Sequence, residues 1–265
     1  VTETILERIV THTRRKLFLR RPYSEWEIVE IIGKKGKSTF LTALQDPARV
    51  HIIAEVKCAS PSRGKLMPVE EVHRVLASYR EGGASAISVV TEEDHFGGSM
   101  VLLREVLAAT SLPVLRKDFV IEETQIYESA EAGADALLFI ARILSLRRLK
   151  HFIGLCELCG MTPLVEVHDE EDLGKALDAG AQVIGINNRN LATFEVSLAT
   201  TLRLLSSIPS EVVVVSESGI KRREEIEMLR EKGVRAFLIG EALLTTPEPA
   251  EKLRELRGEE ELACC

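Results

Sequence analysis

The chain has 265 residues, 45% of them hydrophobic, enough to bury a large core within one domain. Its formal net charge of −7 argues against nucleic acid as a partner, because a phosphate-tracking surface needs a basic excess. No apolar run approaches the roughly 20 residues of a membrane-spanning helix, and the first ten residues carry Glu3 and Glu7 instead of a signal-peptide core; a soluble, cytoplasmic protein without a membrane partner is expected.

Residues 1–49 read as a helical extension. Ile5, Leu6, Ile9 and Val10 fall at helical spacing, and so do Trp26, Val29, Ile31 and Ile32. These faces are expected to pack against the domain that follows. The basic run Arg14, Arg15, Lys16, Arg20 and Arg21 suits either a solvated helix face, the commoner case, or steering of an anionic substrate.

From Val50 onward two kinds of apolar segment alternate. VHIIAEVK, LPVLRKDF, TPLVEVH and EVVVVSES begin at Val50, Leu112, Thr162 and Glu211. Between them stand EGGASAISVV, EAGADALLFI, DAGAQVIGIN and EKGVRAFLIG, from Glu81, Glu131, Asp178 and Glu231. Each of the latter reads as a helix ended by a left-handed glycine, Gly83, Gly133, Gly180 or Gly233, feeding a buried strand. The strands are near-continuously apolar, as expected for parallel strands covered on both faces, and helical stretches such as 122–132 and 170–179 separate them. Eight such units predict an α/β fold, a single (β/α)8 TIM barrel over 50–257 with extra N-terminal helices and a tail over 258–265. An open doubly wound sheet fits less well, since no G-x-G-x-x-G or Walker sequence follows the first strand.

Cys58, Cys156, Cys159, Cys264 and Cys265 make an odd count in a chain long enough not to need disulfide staples. Cys156 and Cys159 form a C-x-x-C with no second pair or histidine cluster to complete a zinc site, so helix packing is expected of them. Cys264 and Cys265 read as a frayed tail.

Active sites of such barrels lie at the C-terminal ends of the strands. Strand one ends in Glu55 and Lys57, strand three in Lys117 and Asp118, strand five in Glu166 and His168, strand six in Asn187 and Arg189, and strand seven in Glu217 and Ser218. Two lysines among several carboxylates suit acid–base catalysis, since neighbouring carboxylates favour the ammonium while desolvation opposes it. No metal is required. SESGI from Ser216 and LIGEAL from Leu238 suit phosphate capture, with Gly219 and Gly240 letting backbone N–H groups approach and a short helix after Gly240 favouring negative charge. The bland alternative is that each glycine closes a tight turn.

With EVKCASPSRG from Glu55, TEEDHFGGS from Thr91, LRKDF from Leu115, LVEVH from Leu164 and GINNRNL from Gly185, these motifs resemble the indole-3-glycerol-phosphate synthase family over 55–244. The resemblance implies a cofactor-free lyase of tryptophan biosynthesis. Its small phosphorylated substrate, 1-(2-carboxyphenylamino)-1-deoxyribulose 5-phosphate, closes to indole-3-glycerol phosphate with loss of carbon dioxide and water. Lys117 is then the general acid and Glu166 transfers protons during dehydration. Lys57 holds the anthranilate carboxylate or shares acid duty, and Glu55 keeps the lysines charged. Asn187 and Glu217 position hydroxyls, Arg189 braces its loop and nearby carboxylates, and Ser218 belongs to the substrate contacts. Ser60, Gly219 and Gly240 take the phosphate, and Pro61 and Gly64 lie in a loop suited to act as a lid. A stand-alone enzyme, monomer or weak homodimer, is expected.

Two positions depart from the family pattern. Ser197 stands where an aspartate is expected, and Glu241 follows Gly240 where some relatives carry a small hydroxyl residue. A carboxylate beside phosphate is repulsive unless it turns away or pairs with a cation, so Glu241 is left out of the expected site. Two readings compete with the synthase: another phosphate-sugar barrel enzyme, such as a Schiff-base aldolase using Lys57 or Lys117, and a phosphate-binding barrel without turnover.

Overall fold

The computed structural model describes residues 4–34, 36, 38–190 and 193–259. The eight apolar runs form parallel strands: β1 (His51–Val56), β2 (Ala86–Val90), β3 (Val114–Lys117), β4 (Ala136–Ile140), β5 (Thr162–Val167), β6 (Val183–Asn187), β7 (Val213–Glu217) and β8 (Ala236–Ile239). Each pairs with its chain neighbours, and β8 closes on β1 through Ile53 opposite Leu238 and Ala54 opposite Ile239. The closed (β/α)8 barrel leaves no sheet edge.

Helices surround it: α1 (Ile5–Phe18), α2 (Glu25–Lys34), α3 (Val72–Glu81), α4 (Met100–Ala109), α5 (Glu123–Ala132), α6 (Leu146–Leu158), α7 (Glu170–Asp178), α8 (Ala199–Leu205), α9 (Arg223–Glu231), the single turn α10 (Glu241–Leu244) and α11 (Pro249–Arg257). Gly83, Gly133, Gly180 and Gly233 all take left-handed φ angles, between 76° and 109°, at the helix-to-strand joints.

Strand side chains alternate between two cores. Ile52, Ala54 and Val56 point outward into the layer beneath the helices, where Cys156 and Cys159 are also buried. Ile53, Ala86, Leu115, Ala136, Leu164, Val183, Val213 and Ala236 fill the barrel interior. Phe40 and Leu44, on the segment joining α2 to β1, are fully buried against this inner core. Ser38 anchors that segment at the N-terminal ends of β4 and β5, donating to Asp135 O at 2.7 Å and accepting from Thr162 Oγ1 at 2.9 Å. The closed lower end leaves the opposite mouth for chemistry.

The N-terminal helices pack on the barrel, but one predicted face is corrected. Trp26 and Val29 are 75% and 63% exposed; α2 packs instead through Ile28, Ile31 and Ile32. Three residues of the basic run form ion pairs, Lys16 with Glu93 and Asp94, Arg20 with Glu128 and Arg21 with Glu27. Cys264 and Cys265 lie outside the described residues. Among those described, no helix is long and apolar enough to cross a membrane.

Candidate active site

The barrel's top layer takes one ionisable side chain from each odd-numbered strand: Glu55 from β1, Lys117 from β3, Glu166 from β5 and Glu217 from β7. Such layers of four, drawn from alternate strands, follow from the stagger of the closed barrel. Lys117 Nζ donates to Glu166 Oε2 at 2.6 Å and to Glu217 Oε2 at 3.0 Å. Lys57, just past β1, pairs with Glu55. All three carboxylates are almost completely buried.

Burial opposes charge on Lys117, but Glu166, Glu217 and Glu55 outweigh it and raise the pKa, so the ammonium persists well past neutrality. Burial also disfavours charge on Glu166, yet Lys117, His168 and a hydrogen bond from Asn187 hold its pKa down to about 2. Glu217 goes the other way. Burial, with the neighbouring Glu166 charge, outweighs Lys117 and raises it to about 7. One lysine thus faces a carboxylate that stays ionised and another that titrates near neutrality.

Two glycines create the space for these groups. A Cβ on Gly185 would overlap the Glu217 carboxylate, and one on Gly240 would overlap that of Glu55. Gly240 therefore has a packing reason to be glycine beyond any contact with phosphate. Gly219 combines φ of +86° with the Val196 side chain lying where its Cβ would point.

The strand ends are held from behind. Arg116, 2% exposed, pairs with Asp118 and Glu128 at 2.9 Å and donates to Thr91 Oγ1, fixing β3 beside Lys117. Asn188 Nδ2 donates to Ser216 Oγ, Glu217 O and Ser218 O, while its Oδ1 accepts from both Thr201 N and Oγ1. It thereby ties β6 to β7 and α8. His168 lies buried between Glu166 and Asp172, at 3.4 and 3.5 Å.

A cavity of about 460 Å³ opens over the cluster. Glu55, Lys57, Ser60, Lys117, Glu166, Asn187, Arg189, Glu217, Ser218, Gly219 and Gly240, the residues expected from the sequence, all line it. Its apolar wall was not anticipated. Phe96 and Phe119, with ring centroids 6.2 Å apart, face Leu138 and Ile140, and Ile5, Leu6 and Ile9 of α1 complete it. Phe96 stands inside the quoted TEEDHFGGS and Phe119 follows LRKD, so both were within reach of the sequence reading.

The rim brings one correction. Glu241 belongs to the pocket lining, because it pairs with two cations: Arg63 Nη2 lies 2.7 Å from its Oε1 and Arg189 Nη2 lies 3.6 Å from its Oε2. The Arg189 backbone N–H also donates to Asn187 Oδ1, at 3.0 Å.

A closed parallel barrel with a lysine–carboxylate cluster beneath an open mouth defines a barrel enzyme built for acid–base chemistry. A family model described as indole-3-glycerol phosphate synthase matches residues 6–256. The chain belongs to that family of carboxy-lyases of tryptophan biosynthesis. An indole-3-glycerol phosphate synthase of Endomicrobium trichonymphae is 41% identical, covering 96% of this chain and 99% of its own. One from Dehalococcoides mccartyi is 44% identical over 95% and 99%, and one from Desulfosudis oleivorans 48% identical over 77% and 78%. Among solved structures, a chain of the tryptophan synthase complex of Pyrococcus furiosus superposes with a TM-score of 0.58 at 15% identity, covering 78% of this chain and 98% of that one. That likeness concerns the fold.

Proposed function

We propose that this chain converts 1-(2-carboxyphenylamino)-1-deoxyribulose 5-phosphate to indole-3-glycerol phosphate, with Lys117 as the general acid. The observation that carries the assignment is the ammonium of Lys117 held between Glu166 and Glu217 at 2.6 and 3.0 Å. As the aromatic carbon bearing the carboxylate attacks the ketone carbon, a new C–C bond forms and charge develops on the carbonyl oxygen. A proton from Lys117 neutralises it. The bond to the carboxylate then breaks, carbon dioxide leaves and the ring regains aromaticity.

Dehydration breaks the C–O bond. The departing oxygen takes a second proton, and one proton leaves the carbon next to nitrogen, so each turnover draws one net proton from solvent. Glu166, ionised at neutral pH, accepts the carbon proton. Lys57, paired with Glu55, meets the anthranilate carboxylate. Phe96 and Phe119 flank its ring, Asn187 and Glu217 take the hydroxyls, Ser218 adds a further substrate contact, and Ser60, Gly219 and Gly240 receive the phosphate.

A Schiff base on Lys117 is disfavoured, because a nucleophilic lysine must lose its proton whereas Glu166, Glu217 and Glu55 stabilise the Lys117 ammonium. Fluorescence-monitored conversion by purified protein tests the proposal. Wild type should form indole product, and Lys117→Met should lose roughly 10²–10⁴-fold in kcat while still binding substrate. Normal turnover by the variant would remove Lys117 from the acid role, and a borohydride-trapped adduct would restore the aldolase.

A further inference from the structure

Glu241 is the second residue after β8, directly following Gly240, and each of its carboxylate oxygens faces a different arginine. Arg63 belongs to the segment after β1, folded back by a two-residue antiparallel ladder between Ala59–Ser60 and Gly64–Lys65. Arg189 belongs to the segment after β6, where it forms an isolated antiparallel bridge with Val196. Val196 in turn occupies the space in front of Gly219. One carboxylate therefore clasps the β1 and β6 loops at the rim that Ser60, Gly219 and Gly240 share.

The two arginines are not held alike. Arg189 is three-quarters buried, backed by Asn187 and by Phe194 O at 3.4 Å. Arg63 is 56% exposed at its side chain, and its guanidinium donates to Glu241 alone among the described residues. Its guanidinium is a half-exposed cation with a single anionic partner among the described residues, and that partner adjoins the proposed phosphate position. A phosphate dianion arriving there carries more charge than the carboxylate and presents more acceptor oxygens. It also repels Glu241, which gives Arg63 a second reason to change partner.

Resting on the phosphate assignment above, we infer that Glu241 is a positioning residue that occupies Arg63 in the free protein and yields it to the substrate phosphate. Binding transfers Arg63 from carboxylate to phosphate and draws the β1 loop over the mouth. Release of the phosphorylated product reverses the exchange. Glu241 thus weakens phosphate binding in return for a loop that reopens, and Arg189 stays in place throughout.

Inorganic phosphate is the probe. Its inhibition constant against substrate is measured for wild type, Glu241→Gln, Arg63→Met and the double variant, together with KM and kcat. Glu241→Gln should tighten phosphate binding by about three- to fivefold, the range expected for loss of one exposed ion-pair competitor, and should lower both KM and kcat. Arg63→Met should weaken phosphate and raise KM. In the Arg63→Met background Glu241→Gln should tighten phosphate binding clearly less than it does with Arg63 present, since only the direct repulsion is then relieved, the signature of a shared partner. Weaker phosphate binding or a raised KM in Glu241→Gln would make the carboxylate a static support and overturn the exchange. Additive effects in the double variant would overturn it too. Absence of competitive inhibition in wild type would instead remove the phosphate assignment on which it rests.

Discussion

Gly185 shows how a residue without a side chain shapes the chemistry. It lies on β6 opposite Glu166 of β5 and Val215 of β7, and the Glu217 carboxylate fills the space above it. A methyl group there would also stand 2.8 Å from Leu164 Cδ2, in a core with no room to yield. Glu217 would have to leave Lys117, so Gly185→Ala should lower kcat by about 100-fold, the scale of a misplacement near 1 Å, with the barrel retained. Steady-state kinetics and circular dichroism check this. The companion Glu217→Asp, one methylene shorter, should recover part of the loss only in the Gly185→Ala background. Equal activity of Gly185→Ala and wild type would show that the lysine needs no support from Glu217.

At the scale of the element, α1 is the part of the chain outside the eight repeats that reaches the pocket. Thr4 and Glu7 form a capping box that starts it, Ile5, Leu6 and Ile9 face the cavity, and Lys16 near its end reaches Asp94 at 2.7 Å and Glu93 at 2.8 Å on the segment after β2. Lys16→Glu would place like charges together at that tether. We expect KM to rise by about three- to fivefold at low salt, the effect to shrink at high salt, and the thermal midpoint to change little, because the barrel core is untouched. Kinetics across a salt series tests this; a KM insensitive to the swap would mean that α1 stays seated without the ion pair. The same element marks the limit of the sequence reading. Strands were legible because residues buried on both faces are apolar throughout, a pattern surface segments cannot mimic. On α2 the apolar residues cover more than one face, and composition alone did not tell that Ile28, Ile31 and Ile32 pack while Trp26 and Val29 meet solvent. Charged strand ends stood out because such groups are costly to bury unpaired. The Arg63–Glu241 clasp did not, since it joins residues 178 positions apart through loops whose meeting only the closed barrel arranges.

For the whole molecule, collecting ionisable groups inside a closed barrel makes stability depend on pH in two separate windows. Glu166 has a folded-state pKa of about 2 against an ordinary value of 4.5. Its contribution is therefore present above pH 4.5 and is lost as the pH falls toward 2. Glu217 has the opposite sign. Its folded-state pKa of about 7 exceeds the ordinary 4.5, so between those values the folded protein holds a proton that the unfolded chain has released. Stability from this group accordingly falls as the pH rises through that window and levels off above it. Glutamine cannot ionise and reproduces the protonated carboxyl, so Glu217→Gln should remove this decline. Urea midpoints at pH 4.5, 6 and 8 should show the variant gaining on wild type at each step up to about pH 7, the folded-state value, and no further gain beyond it. A constant difference between the two proteins across the series would mean that Glu217 titrates alike folded and unfolded. Lys117 would then have to neutralise both of its carboxylates fully, and the proton available near neutrality would have to reside elsewhere in the cluster.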